Sequence, residues 1–264
     1  MTTVRPRHVE VRPFPWNRRV VAAALRAGKR TTPMHGLVEV DVTDAKRLLA
    51  DHEPPLSFTA FVIASVARAA ATHPEVHAYR NWRGQLIWHR HVDVATIVEI
   101  ATAQDPFALA HTIRDADIRD VTDLTSELRT VKTDPSASSN GRWVARYAPI
   151  AAHVPGLFAA MYAVMARSPR LRELTGTVGV TAVGMFAHGG GFAIAPLTLM
   201  PLQIVVGGVS PRPRVVGGQV EVRDVLDLTV TVDHNVIDGA PAARFGAELR
   251  EILESATVMD NLHR

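Results

Sequence analysis

The sequence predicts a mixed α/β sandwich built as a single domain. Three observations carry that reading. A capped, strongly apolar helix pattern stands in the first third of the chain, strands crowd the region after Gly176, and an amphipathic helix closes the chain. Helices and strands do not alternate strictly, so a β-α-β parallel sheet is not expected. The 264 residues, 47% hydrophobic and 21% charged, suffice for one full core. No repeat and no long linker divides them, so residues 1–264 read as one unit.

Arg18 to Ala27 reads as a short helix and Leu37 to Val42 as a strand. Ser57 caps a long helix in which Phe58, Phe61, Val62, Ser65, Val66 and Ala69 recur at three- and four-residue spacing, and Pro74 ends it. Asn81-Trp82-Arg83-Gly84 is a turn between short strands, followed by the apolar run Val92 to Ile100. Asp120 to Lys132 is helical in pattern, Pro135 to Gly141 is a polar loop, and an apolar helix follows near Gly156 to Ala166. Thr177 to Val183, Leu202 to Val206 and Asp224 to Asp233 are the main strands. His188-Gly189-Gly190-Gly191 is a loop between the first two, and Gly217-Gly218 makes a tight hairpin turn before the last. Ala240 to Glu254 is the closing helix, with Pro241 in its first turn and Phe245, Leu249, Ile252 and Leu253 inward.

Composition excludes several classes of function. Without cysteine there is no disulfide, no thiolate metal site and no cysteine nucleophile. That fits a reducing compartment, and with no apolar core of a secretory signal after Met1, a cytoplasmic location is expected. Ile150 to Ala166 is too short and too interrupted for a membrane span. The net charge is only +3, and the basic excess sits near the N-terminus, from Arg5 to Arg30 against Glu10 alone. No nucleic-acid-binding signature accompanies it, so a solvated face is the expectation and nucleic acid is not. His89-Arg90-His91 places two imidazoles on one strand face, but no third ligand is evident, and no metal is expected.

The segment that carries chemistry is Asp233-His234-Asn235-Val236-Ile237-Asp238-Gly239. Leu226, Leu228, Val230 and Val232 share one face of the last strand, and Asp227, Thr229, Thr231 and Asp233 share the other. His234 continues the apolar parity just as the strand ends. An imidazole leaving a hydrophobic strand is partly desolvated yet reachable, which favours the neutral form that a general base requires. Asp238 can hold the turn together, and Gly239 permits close backbone approach before the helix. From residue types alone, a structural histidine at a strand end competes with a catalytic one.

Asp-His-Asn-Val-Ile-Asp-Gly-Ala resembles the Asp-His-Arg-x-x-Asp-Gly-Ala signature of the acyltransferase components of 2-oxoacid dehydrogenase complexes, in the chloramphenicol-acetyltransferase-like superfamily. Further similar stretches follow in the family's order. Leu56 to Phe61, Pro74 to Ala78 and Ile113 to Asp117 resemble its first long helix, the exit of that helix and the approach to the second. Gly176 to Phe186 resembles Gly-Thr-Phe-Thr-Ile-Ser-Asn-Leu-Gly-Met-Phe.

The resemblance implies a chloramphenicol-acetyltransferase-like mixed-sheet sandwich that forms a homotrimer with each active site at a subunit interface. It implies acyl transfer from acyl-coenzyme A to a thiol, hydroxyl or amine on a small or carrier-borne acceptor. It assigns His234 as the general base, Thr181 as the hydroxyl that stabilises the oxyanion, and Asp238 to the same site. Direct attack needs no covalent acyl-enzyme, and no Gly-x-Ser-x-Gly elbow supports a serine-hydrolase alternative.

Several positions depart from the family. Asn235 replaces the usual arginine, Ala182 stands where asparagine is usual, and Gln104 to Phe107 replaces a Gly-Leu turn. Residues 135–174 form an atypical insertion that could reshape the acceptor channel. The chain begins almost directly with the catalytic unit, so no lipoyl group is expected on it. These departures keep open a non-catalytic trimeric scaffold as the alternative. No feature points to antibiotic acetylation.

Overall fold

The computed structural model describes residues 10–11, 13–100, 107–139, 154, 156–184 and 189–263. Helix α1 (Trp16–Ala27) leads into strand β1 (Pro33–Asp41). Helix α2 (Thr43–Asp51) and helix α3 (Phe58–Thr72) follow. The Ser57 hydroxyl oxygen accepts from the Ala60 N–H at 3.3 Å and so satisfies one free donor of the first turn of α3. That helix is buried almost all round, with ten of its fifteen residues inside, so it is a central rather than a surface helix. The small hairpin β2 (Tyr79–Arg80) and β3 (Leu86–Ile87) precedes β4 (Val94–Ile100) and β5 (Phe107–Ile113). Helix α4 (Val121–Thr133) is capped by Asp120, whose carboxylate accepts from the Asp123 N–H at 2.7 Å. Helices α5 (Leu157–Arg167) and α6 (Pro169–Arg172) lead to β6 (Val178–Ala182), β7 (Leu202–Val216), β8 (Gln219–Asp233) and α7 (Gly239–Ser255).

Six strands form one mixed sheet in the order β1-β8-β7-β6-β4-β5, with β6 parallel to both β4 and β7 and every other pairing antiparallel. One face of the sheet carries the main core, where Val94, Val178, Val180, Ile204, Leu226, Leu228 and Val230 meet α2, α3, α4 and α7. The alternation expected for the last strand holds, with Leu226, Leu228, Val230 and Val232 all on this face. Asp227, Thr229 and Thr231, on the opposite face, are fully buried as well. Part of their cover comes from the segment between β6 and β7 and from β7 itself: the Gly191 N–H donates to Asp227 at 2.6 Å, and Arg212 pairs with the same carboxylate at 2.5 Å. The buried charge is therefore matched. A separate small cluster joins Ala23 of α1 to Phe158 of α5.

Two elements go beyond the sequence reading. Helix α2 buries only Ala45 and Leu49, too few apolar positions to show a period. Strand β5, Phe-Ala-Leu-Ala-His-Thr-Ile, is alanine-rich and lies on the sheet edge. Strands β7 and β8 are also longer than expected. Pro211 and Pro213 are tolerated in β7 because they lie where β6 no longer pairs with it and no donor is needed on that edge. Met185, Phe186, His188, Gln104 to Pro106 and much of the atypical 135–174 segment lie outside the described residues.

Candidate active site

Strand β8 delivers His234 to a turn fastened on both sides. The His234 N–H donates to the Thr32 carbonyl at 2.8 Å, and the Asp233 N–H donates to the Pro201 carbonyl at 3.0 Å. Asp233 holds the turn internally: its Oδ1 accepts from the N–H of Thr32 at 3.1 Å, the N–H of Asn235 at 3.1 Å and the Asn235 side-chain amide at 2.8 Å. Two backbone donors and a side-chain amide thus converge on one oxygen of the carboxylate.

The His234 side chain is 45% exposed, so the ring is reachable from solvent. Its Nδ1 lies 2.9 Å from the carbonyl oxygen of Ile237, whose own side chain is buried. A carbonyl only accepts, so Nδ1 carries a proton and Nε2 holds the lone pair in the neutral ring. The Asp238 carboxylate sits 3.8 Å from Nδ1, beyond hydrogen-bond length, and is 90% exposed. Its backbone caps α7 while its side chain makes no cap bond. Asp233 is thus the carboxylate that holds the turn, the task expected of Asp238.

Thr181 is half-buried on β6, on the face opposite Val178 and Val180. It pairs with Val205, which pairs in turn with Thr229, five residues before His234. The two residues therefore sit apart in one chain. Beside the histidine turn, an open groove of about 790 Å³ runs between β1 and α7, lined by Met34, Val232, Gly239, Ala242, Ala243 and Gly246 among others.

A second polar cluster lies at the same end of the sheet, and the sequence reading did not anticipate it. His77 Nδ1 is 2.9 Å from the Thr177 hydroxyl just before β6, Tyr79 stacks on His89 at 5.7 Å, and the Arg172 guanidinium lies 3.7 Å over the Tyr79 ring. Burial pushes the His77 pKa down to about 4, and neighbouring His89 adds to the shift. Burial also lowers that of Arg172 to about 10, against the opposing pull of Tyr79 and Asp233. Among the described residues, His77 Nε2, Tyr79 OH, His89 Nε2 and Arg172 Nε have no hydrogen-bond partner. The two imidazoles of His89-Arg90-His91 go different ways, since His91 pairs with Asp117 at 3.2 Å.

Ser138, His111 and Glu127 form a hydrogen-bonded chain with the residue types of a nucleophile relay. Ser138 and His111 are buried, however, and Glu127 is shared with Arg119, so the chain braces β5 against α4. Among the described residues no group of three or more His, Asp or Glu is placed to hold a metal ion, and no helix is long and apolar enough to cross a membrane.

Comparison with known proteins agrees with this architecture. The family model for the 2-oxoacid dehydrogenases acyltransferase (catalytic domain) matches residues 6–139 and 161–260. The chain is 27% identical over 248 residues to the lipoamide acyltransferase component of the branched-chain alpha-keto acid dehydrogenase complex of Pseudomonas aeruginosa, covering 90% of this chain and 50% of that protein. It is 23% identical over 265 residues to the dihydrolipoyllysine-residue acetyltransferase component of the pyruvate dehydrogenase complex of Rickettsia bellii, covering 92% of this chain and 52% of that one. The chain therefore spans about half the length of these curated relatives. Among solved structures, the dihydrolipoamide acetyltransferase of Azotobacter vinelandii superposes with a TM-score of 0.72 at 18% identity, covering 98% of this chain and all of that one. A chloramphenicol acetyltransferase superposes with a TM-score of 0.52 at 15% identity, covering 87% and 93%. These likenesses establish the chloramphenicol-acetyltransferase-like fold.

Proposed function

Since the chain belongs to the 2-oxoacid dehydrogenases acyltransferase (catalytic domain) family, we propose that it moves an acyl group from acyl-coenzyme A to a thiol, hydroxyl or amine acceptor, with His234 as general base. The observation that carries this reading is the exposed imidazole whose Nδ1 is fixed on the Ile237 carbonyl. Its Nε2 is left as the proton acceptor.

The chemistry needs only groups of this chain and its substrates. Nε2 takes the proton from the acceptor as its heteroatom attacks the thioester carbonyl. The carbonyl oxygen becomes an oxyanion, which the Thr181 hydroxyl of a neighbouring copy stabilises. On collapse the carbon–sulfur bond breaks, and the imidazolium returns its proton to the departing thiolate. General base catalysis of this kind contributes about 10²–10⁴-fold, and one oxyanion donor about 10²–10³-fold. A homotrimer supports the scheme, because Thr181 and His234 stand apart within a chain and a ring of copies can bring one of each together. The Azotobacter vinelandii relative, studied for a serine, a histidine and an asparagine in its catalytic mechanism, supports a hydroxyl–imidazole pairing of this type.

The test is turnover with acetyl-coenzyme A and a panel of thiol, hydroxyl and amine acceptors, dihydrolipoamide included, with the acylated product read by mass. His234→Ala should lose at least about 10²-fold while keeping the assembly. Equal turnover by the two proteins rejects His234 as base. Absence of coenzyme A binding in calorimetry favours the non-catalytic scaffold, the reading motivated by Asn235 and Ala182.

A further inference from the structure

The turn that presents His234 has its own fastening at Asn235. The Asn235 amide nitrogen donates to Asp233 Oδ1 at 2.8 Å and to the Arg30 carbonyl at 3.3 Å, while its oxygen accepts from the Thr32 hydroxyl at 3.4 Å. Both amide hydrogens and one lone pair are thereby used. The three partners lie on the two strands of chain that flank the histidine, Asp233 on one and Arg30 to Thr32 on the other. The His234 N–H itself is tied to the Thr32 carbonyl.

We propose that Asn235 is a positioning residue for His234, clamping the end of β8 to the Arg30–Thr32 segment so that the ring keeps its Nδ1 bond to Ile237. This inference rests on the reading of His234 as base. Asn235 is not itself a catalytic residue, since its side chain is spent on Asp233, Arg30 and Thr32.

An arginine at this position, as in the resembling signature, would meet the Asp233 carboxylate with charge and a planar fork. The shorter amide holds the same carboxylate with a neutral donor and adds two contacts to the opposite segment. Asp233 Oδ1 already receives two backbone N–H groups, from Thr32 and Asn235. A neutral third donor therefore completes its shell without requiring a cation. Truncating Asn235 removes the only side-chain donor among those three, together with its bonds to Arg30 and Thr32, and leaves the turn held by main-chain bonds and the two N–H groups on Asp233 Oδ1. The ring then gains freedom to leave Ile237, and a misplacement on the order of 1 Å costs about 10²-fold in rate.

The test compares wild type, Asn235→Ala and Asn235→Arg in the intact protein. The readouts are steady-state kinetics, melting temperature, and imidazole nitrogen shifts of selectively labelled histidine. Asn235→Ala should lower kcat by about 10- to 100-fold, with KM for acetyl-coenzyme A within about twofold and melting unchanged. Its His234 ring should average between tautomers. Asn235→Arg should recover both the rate and the Nδ1–H tautomer. An Asn235→Ala protein with wild-type kcat, or with a His234 ring still locked as Nδ1–H, overturns the proposal. A rate loss that follows a fall in melting temperature, or that arginine does not repair, overturns it too. A His234→Ala control that turns over like wild type, or an inert wild type, removes the base reading and this inference with it. An inactive His234→Ala beside an unaffected Asn235→Ala removes the inference alone.

Discussion

Thr181 and His234 belong to one sheet but cannot serve one reacting carbon from a single chain. Thr181 pairs with Val205, Val205 pairs with Thr229, and His234 lies five residues further along β8. Two strand spacings across and five residues along give a separation of roughly 20 Å. A base and an oxyanion donor must each stand about 3 Å from their atoms of the same reacting group. On the proposed mechanism, a shared site therefore takes its imidazole from one copy and its hydroxyl from the next. Refolding an equal mixture of His234→Ala and Thr181→Val chains should restore about a quarter of wild-type turnover, the share of ring interfaces with both groups intact. Each variant refolded alone should stay low. A mixture no better than the mean of its parents would refute the shared site.

Gly28 follows α1 with φ of −73°, a conformation in which alanine is normally preferred. Yet a Cβ there would lie 1.9 Å from the Leu197 carbonyl oxygen and 3.0 Å from the Thr198 Cα, both main-chain atoms. The segment it would push is continuous with Pro201, whose carbonyl holds the N–H of Asp233. Gly28→Ala should therefore destabilise by about 1–3 kcal/mol and lower turnover through the histidine turn. Thermal melting and kinetics of the variant check this, and a melting temperature at or above wild type contradicts it.

His77 should make the fold acid-sensitive. In the unfolded chain it titrates near its ordinary value of 6.5, while burial, with His89 next in effect, pushes it down to about 4 in the fold, despite opposing pulls from Asp117, Glu75 and Asp93. The folded state resists the proton that the unfolded state takes up. Its contribution is thus fully present above about pH 6.5 and is lost as pH falls towards 4. The whole shift corresponds to roughly 3 kcal/mol. His77→Asn keeps a side chain able to bond Thr177 but does not titrate. Urea unfolding at pH 7.5 and 4.5 should show a smaller acid loss for the variant. Parallel losses in both proteins would mean that His77 is not the source.

These positions differ in how far the sequence could show them. The strand end that carries His234 was legible because its signals are local: a period-two strand, its end, and a glycine-bearing turn within seven residues; the role of base came from the family resemblance. The central helix was legible because its cap and apolar period lie within one window. Thr181 was singled out only through the family resemblance, since a threonine in a strand carries no signal of its own. His77 escaped because its partner Thr177 lies a hundred residues away, and Tyr79 beside it is covered by the similarly distant Arg172. The turn misled in detail: Asp233 and Asp238 are equivalent as letters, and only the backbone path shows that Oδ1 of the first collects three donors. The extension of β7 past Val206 through Pro211 and Pro213 was not legible, because sequence does not show which edge of a strand is free.

Thr181 also allows a test of the oxyanion role apart from that of the base. Its neighbour on the same face is Gly179, where a Cβ would stand 2.3 Å from the Gln203 amide oxygen and 2.9 Å from the sulfur of Met200. The sheet is therefore tightly filled one step away, while Thr181 itself remains half-buried. Thr181→Val keeps the β-branched shape and the strand propensity but deletes the hydroxyl. Thr181→Ser keeps the hydroxyl and deletes the methyl. If the hydroxyl stabilises charge that exists only in the transition state, valine lowers kcat by about 10²–10³-fold with KM little changed. Serine then stays within about tenfold of wild type, because the group that bonds the oxyanion is still present. A serine variant as slow as valine assigns Thr181 to packing, and a valine variant at the wild-type rate removes it from the reaction while leaving His234 untouched.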